Sequence, residues 1–306
     1  MSELLSVILT IMTAATPLLL AALGELVTER SGVLNLGVEG MMSIGAVSAF
    51  AVAFTTGSPY LGILAAIVAG VLLSLVFAFL TLVMVSNQVA TGLALTLLGL
   101  GLSALIGESF VGQPGVKLDK LHIPGLSDIP FLGPIIFGQD VLVYFSLALT
   151  AAIAYVLTRT RIGLVIRAVG DNHGSAHALG FGVNTVRLAC IAFGGACAGL
   201  GGGYLSLAYT PLWIENMTAG RGWIALALVV FGSWMPYRLA IGAYLFGTVM
   251  ILGFALQSKG AGIPAQFLSS LPYLVTIAAL VVISARRSRN RTNAPACLGQ
   301  SFVPDR

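Results

Sequence analysis

The chain has 306 residues, 58% of them hydrophobic and 8% charged, with a net charge of +4 and a mean hydropathy of +0.99. Soluble domains carry about 25% charged residues, so this composition cannot cover a water-exposed surface and indicates an all-α, polytopic transmembrane helix bundle. The basic residues sit in short flanking clusters and form no basic face, which excludes a nucleic-acid binder.

A spanning helix needs about 20 apolar residues. The first run, Leu4–Leu23, lacks a basic leader and reads as a span, not a cleaved signal peptide. The stretch ERSGVLNLGVEGMM (residues 29–42) follows, with Glu29, Arg30 and Glu39 in an otherwise apolar region. Glu29 and Arg30 are expected at the membrane boundary, where charge is inexpensive. Gly32, Gly37 and Gly40 loosen the start of the next span, Val33–Thr55. There Glu39 either braces an interrupted helix, the preferred reading, or faces a translocation route together with Asn35.

Spans are then expected at Leu61–Val85 and Val89–Gly107. Asn87, Gln88 and Thr91 are polar groups beside or within them. Unpaired polar groups are costly there, so they must bond to other helices or face water. With Asn35 and Glu39 they are the candidates for a solute route. A proline-rich loop, Glu108–Asp140, leads to a span at Val141–Leu157.

The loop Thr158–Arg187 carries Arg159, Arg161, Arg167 and Arg187 and is long for a bare turn. Asp171 or Asn172 can cap a short helix in it, and Gly180 can end that helix. Gly174, Ser175, Ala176 and Ala178 are small enough for close approach to a partner; an ordinary surface loop is the alternative. His173 and His177 read as polar loop residues, with no third ligand to make a metal site.

Leu188–Ala208 is glycine-dense, which suits close helix packing, and holds Cys190 and Cys197 as small apolar residues. Trp223–Trp234 is too short to cross and is expected as a half-helix or as part of a longer element. Leu239–Leu256 and Gln266–Ser284 complete a count of eight or nine. Residues 1–285 form one transmembrane domain, with a tail at 286–306 that contains Cys297. The arginines of the 158–187 loop and of the tail place both on the cytoplasmic side, with Glu108–Asp140 outside.

No phosphate loop, catalytic triad or metal-ligand spacing occurs, so the chain is expected to be non-catalytic and to bind no cofactor. The later spans hold almost no ionisable residues. That argues against ion coupling and for a neutral, hydrogen-bonding solute.

Three stretches carry a resemblance: ERSGVLNLGVEGMM (29–42), NQVATGLAL (87–95) and GRGWIALALVVFGSW (220–234), with APACLGQSFVP (294–304) in support. The chain resembles the inner-membrane permeases of ATP-binding-cassette importers in the branched-chain amino acid and ribose permease family, most closely their nucleoside and simple-sugar branch. The likeness covers nearly the whole chain. It implies that Asp171–Gly180 is the coupling helix that meets the ATPase. It also implies a heterodimer with a homologous permease, two ATPase domains that use ATP, an external solute-binding lipoprotein, and a multi-pass place in a bacterial inner membrane. Thr96 departs from the pattern, where asparagine is more usual. A stand-alone secondary transporter or channel for a small neutral solute is the alternative.

Overall fold

The computed structural model describes residues 2–121, 132–258 and 293–303, with scattered positions between 264 and 281. The described residues form helices α1 (Ser2–Arg30), α2 (Val38–Thr56), α3 (Pro59–Ala78), α4 (Gln88–Gly107), α5 (Leu132–Phe137), α6 (Val141–Arg159), α7 (Arg161–Asp171), α8 (His173–Ala178), α9 (Val183–Tyr204), α10 (Arg221–Phe231) and α11 (Pro236–Ser258). Single π-helical turns extend α3 to Val83 and α9 to Tyr209. Among the described residues seven helices are long and apolar enough to cross a membrane. The ninth expected span, Gln266–Ser284, lies for the most part outside the described residues.

Short polar side chains set the helix starts. Asn87 Oδ1 accepts from Ala90 N (3.0 Å) at the head of α4. Asp140 Oδ1 accepts from Leu142 N and Val143 N at the head of α6, and its Oδ2 accepts from the Tyr204 hydroxyl at 2.8 Å. Each satisfies backbone donors that a helix leaves unpaired at its first turn.

Helices α1, α2 and α9 are buried along most of their length and form the centre. Helices α3 and α4 turn rows of exposed side chains outward, such as Leu64, Val68 and Leu72 or Leu93, Leu97 and Leu105. An apolar outer face is what contact with lipid requires. The glycines of α9 let the centre close. A Cβ on Gly199 would meet the carbonyl of Ala66, and one on Gly202 the carbonyl of Met42. Backbones at that separation gain dispersion contacts, the main packing force available in lipid.

One expectation is overturned at the end of α1. The helix runs to Arg30, seven residues past the expected stop, so Glu29 is no inexpensive boundary charge but is 2% exposed. Its Oε2 accepts from Trp234 Nε1 at 2.6 Å. Arg30 donates from Nε and Nη2 to the Trp234 carbonyl, at 3.2 and 2.8 Å. The two side chains thereby fix the turn between α10 and α11, where Ser233 and Trp234 adopt positive φ. Arg187, read from sequence as a flanking charge, is also fully buried.

Helix α10 is the expected half-helix. Its 11 residues reach roughly 16 Å, too short for the hydrocarbon core. It begins inside the bundle, so its first backbone donors need a partner there. Glu39, in the first turn of α2, supplies it: Oε1 accepts from Gly220 N (2.8 Å) and Oε2 from Gly222 N (2.6 Å). The positive end of the helix dipole favours this carboxylate. Both glycines are required by geometry. Gly220 sits at φ +81°, and a Cβ on Gly222 would lie 2.5 Å from the Glu39 Cα. We expect Glu39→Ala to destabilise the detergent-solubilised protein by about 2–3 kcal/mol, because it strands buried donors. Gly222→Ala should do likewise by pushing the carboxylate away, and Glu39→Gln should be milder because it keeps an acceptor. Equal thermal-unfolding midpoints for wild type and Glu39→Ala would refute the bracing role.

Candidate functional site

Between α1 and α2 the chain runs through seven residues, 31–37, that belong to no helix, and most of them are buried. Backbone groups there must be satisfied by protein, since lipid offers none. Leu34 N donates to Gln88 Oε1 (2.9 Å), and Asn35 N donates to Glu25 Oε1 (3.1 Å). Gly37 N donates to Asn35 Oδ1 at 2.9 Å. The Leu36 carbonyl accepts from Thr96 Oγ1 (2.9 Å), the Ser31 carbonyl from Arg187 Nε (3.3 Å), and the Gly32 carbonyl from Gly299 N (3.0 Å).

The sequence-derived route candidates therefore separate. Asn35 and Gln88 come together around segment 31–37. Glu39 points to the neighbouring α10, and Thr91 pairs with Ser86 Oγ at 2.8 Å. Asn87 is exposed and caps α4. Sequence reasoning missed Glu25, which lies in the extension of α1 and is 1% exposed. It also passed over Thr96 as a departure from the expected residue, although its hydroxyl holds the Leu36 carbonyl. Glu25 Oε2 and Gln88 Nε2 are buried with no hydrogen-bond partner among the described residues.

The second region is the α7–α8 hairpin. The long loop holds two helices where one was expected. Thr160 Oγ1 accepts from Gly163 N to start α7, an amphipathic helix unread in the sequence. Asn172 Oδ1 accepts from Ser175 N (2.9 Å) to start α8, and Gly180 follows that helix at φ +87°. Of the two proposed caps it is thus Asn172, not Asp171, that caps α8. Asp171, Asn172, Gly174, Ser175, Ala178 and Gly180 are exposed.

Ala176, offered by the sequence among the small residues suited to close approach by a partner, lies on the inward face of α8. It is 2% exposed and packs with Val169 and Val183, because one side of α8 must bury against α7 and α9. The exposed apolar side chains next to it are Leu179, 76% accessible, and Phe181. His173 Nδ1 lies 3.4 Å from Arg187 Nη2. Burial and then the guanidinium charge hold the His173 pKa below its ordinary value, favouring the neutral ring that can accept this contact.

Segment 31–37, α8 and residues 293–303 meet at one end of the bundle through Gly299–Gly32, Cys297–Gly170 and Arg187. At the other end, residues 114–121 pair with the 207–212 stretch and with Gln139 and Asp140.

A family model described as "Branched-chain amino acid transport system / permease component" matches residues 7–283. The chain is 40% identical to a Haloferax volcanii protein provisionally described as the glucose ABC transporter permease TsgC13, over 94% of each chain. It is 34% identical to the guanosine ABC transporter permease NupQ of Bacillus subtilis, over 91% of this chain and 92% of that one. It is 32% identical to the nucleoside ABC transporter permease NupC of Lactococcus lactis, over 88% and 89%. No solved structure shows a significant match. With the family model covering most of its length, this multi-pass membrane chain belongs to the branched-chain amino acid transport system permease family.

Proposed function

We propose that the chain is the permease subunit of an ATP-driven importer for a nucleoside or a simple sugar. The near full-length likeness to permeases named for guanosine, nucleosides and glucose carries this reading. The chain contributes no covalent chemistry. A homologous permease completes the membrane part, two ATPase domains bind and hydrolyse ATP, and an external binding protein delivers the solute. The α7–α8 hairpin and residues 286–306 face the cytoplasm. The outward side of α8, with Gly174, Ser175, Ala178 and Leu179, receives the ATPase, and its motion rocks the helix bundle between inward and outward openings. The exposure of an apolar Leu179 beside small residues supports that docking role. Asn35, Glu39, Asn87, Gln88 and Thr91 lie along or beside the solute route. Two of the buried atoms without a partner among the described residues, Glu25 Oε2 and Gln88 Nε2, support it, since buried polar groups call for hydrogen-bond partners.

Reconstitution of the full complex in proteoliposomes tests the function. Uptake of labelled guanosine or glucose should require ATP, the ATPases and the binding protein. Uptake by this chain alone would restore the secondary-transporter or channel alternative. Leu179→Asp should weaken co-purification of the ATPase without preventing membrane insertion, because the side chain lies outside the packed core. Undiminished co-purification would remove α8 as the contact.

Gln88→Met keeps the size of the side chain and deletes its amide. A solute contact predicts a rise in the KM for uptake of about three- to tenfold, the value of one neutral hydrogen bond, with ATPase activity retained. A fall in assembled complex with unchanged KM would mark Gln88 as a brace for Leu34 alone.

A further inference from the structure

Helix α8 has six residues, too few to be stable without packing. It is hinged at both ends: Asn172 is extended (φ −154°, ψ 92°) and Gly180 is left-handed (φ +87°). Its inward face offers little to hold it beyond the Ala176 methyl, in a small cluster with Val169 and Val183. A helix pivoting on two such joints would turn under load and transmit little of it.

Residues 293–303 close that gap. The Phe302 ring packs on the small cluster and stands edge-on between His173 and His177, with centroids 5.2 and 5.3 Å away. The same segment is tied to four other places in the bundle. Cys297 N donates to the Gly170 carbonyl at the end of α7 (2.9 Å), and Gly299 N donates to the Gly32 carbonyl in the α1–α2 connection (3.0 Å). Arg30 Nη1 donates to the Asn293 carbonyl and Arg187 Nη1 to the Gln300 carbonyl, each at 2.9 Å. Arg187 also reaches the Ser31 carbonyl and His173. The segment therefore lies against α8 on one side and against the connection that carries Asn35 on the other.

We propose that residues 293–303 form a strap that seats α8 against the bundle, with Phe302 as the positioning residue that carries motion of α8 into the α1–α2 connection. The proposal rests on the reading of α8 as the ATPase contact. On it, α8, the strap and the connection move as one body, and the strap does not leave during turnover.

The test uses the complete complex in proteoliposomes and reads solute moved per ATP hydrolysed. Phe302→Ala should lower that ratio by at least about fivefold, the low end of coupling between distant sites, while ATPase co-purification and hydrolysis persist. Phe302→Tyr, which restores the ring, should recover it. An unchanged ratio in Phe302→Ala overturns the strap. It does so without touching the wider reading, which stands or falls on Leu179→Asp. Should Phe302→Ala fail to assemble, hydrogen exchange on the wild-type complex decides. The Cys297 and Gly299 amides should stay protected with and without a non-hydrolysable ATP analogue. Loss of protection on adding the analogue would show that the strap detaches, and would overturn the proposal.

Discussion

The organisation of this end of the molecule follows from seven residues that leave the helical path inside a membrane protein. Segment 31–37 carries backbone donors and acceptors where water is scarce, and each one left unpaired costs free energy. The chain answers from every surrounding element: Glu25 from α1, Gln88 and Thr96 from α4, Arg187 from α9 and Gly299 from the 293–303 segment. Four separate parts of the sequence are thereby held in register by one irregular connection.

The same rule explains where the charges went. In so apolar a chain, buried ionisable groups would be expected to seek one another. Here they are spent largely on backbone and indole groups. Glu39 takes the two N–H groups that open α10, Glu29 takes the Trp234 indole, Arg30 takes the Trp234 carbonyl, and Arg187 takes two carbonyls from different segments. A charged side chain makes stronger hydrogen bonds than a neutral one. It is thus a suitable clamp for non-helical backbone that cannot reach solvent.

Most of the helices were legible in the sequence because apolar runs of sufficient length are unambiguous. Trp223–Trp234 was legible as a half-helix or a piece of a longer element for the same reason, its length falling short. Asn172 and Gly180 were readable as cap and terminator because local backbone chemistry decides them. What stayed hidden depended on tertiary proximity. Nothing local to Glu39 shows that its partners are Gly220 and Gly222, some 180 residues away. Glu29 looked like a boundary residue, and Glu25 was missed, because a hydropathy window ends a helix where charge begins, although α1 runs on to Arg30. Ala176 looked like a docking residue because small residues suit close approach to a partner and to the chain's own core alike. Only the burial of one face tells these apart. Phe302 had no local signal at all, since one aromatic residue in a polar tail acquires meaning from the two histidines beside it.

These contacts constrain how the basic end of the bundle can move. Arg187 binds the Ser31 carbonyl, the Gln300 carbonyl and the His173 ring from one guanidinium. A shift of α8 that left the other two partners behind would take the His173 contact from a fully buried cation, and a buried charge is destabilised by each partner it loses. Carrying the partners along breaks nothing. The physical preference is for α8, the α1–α2 connection and residues 293–303 to move together, with relative motion displaced to smoother contacts. The outward apolar faces of α3 and α4 have few polar bonds to lose and can slide against lipid at little cost. A rigid basic end joined to a compliant apolar periphery is the mechanical arrangement that force applied at α8 would need in order to reach the middle of the membrane.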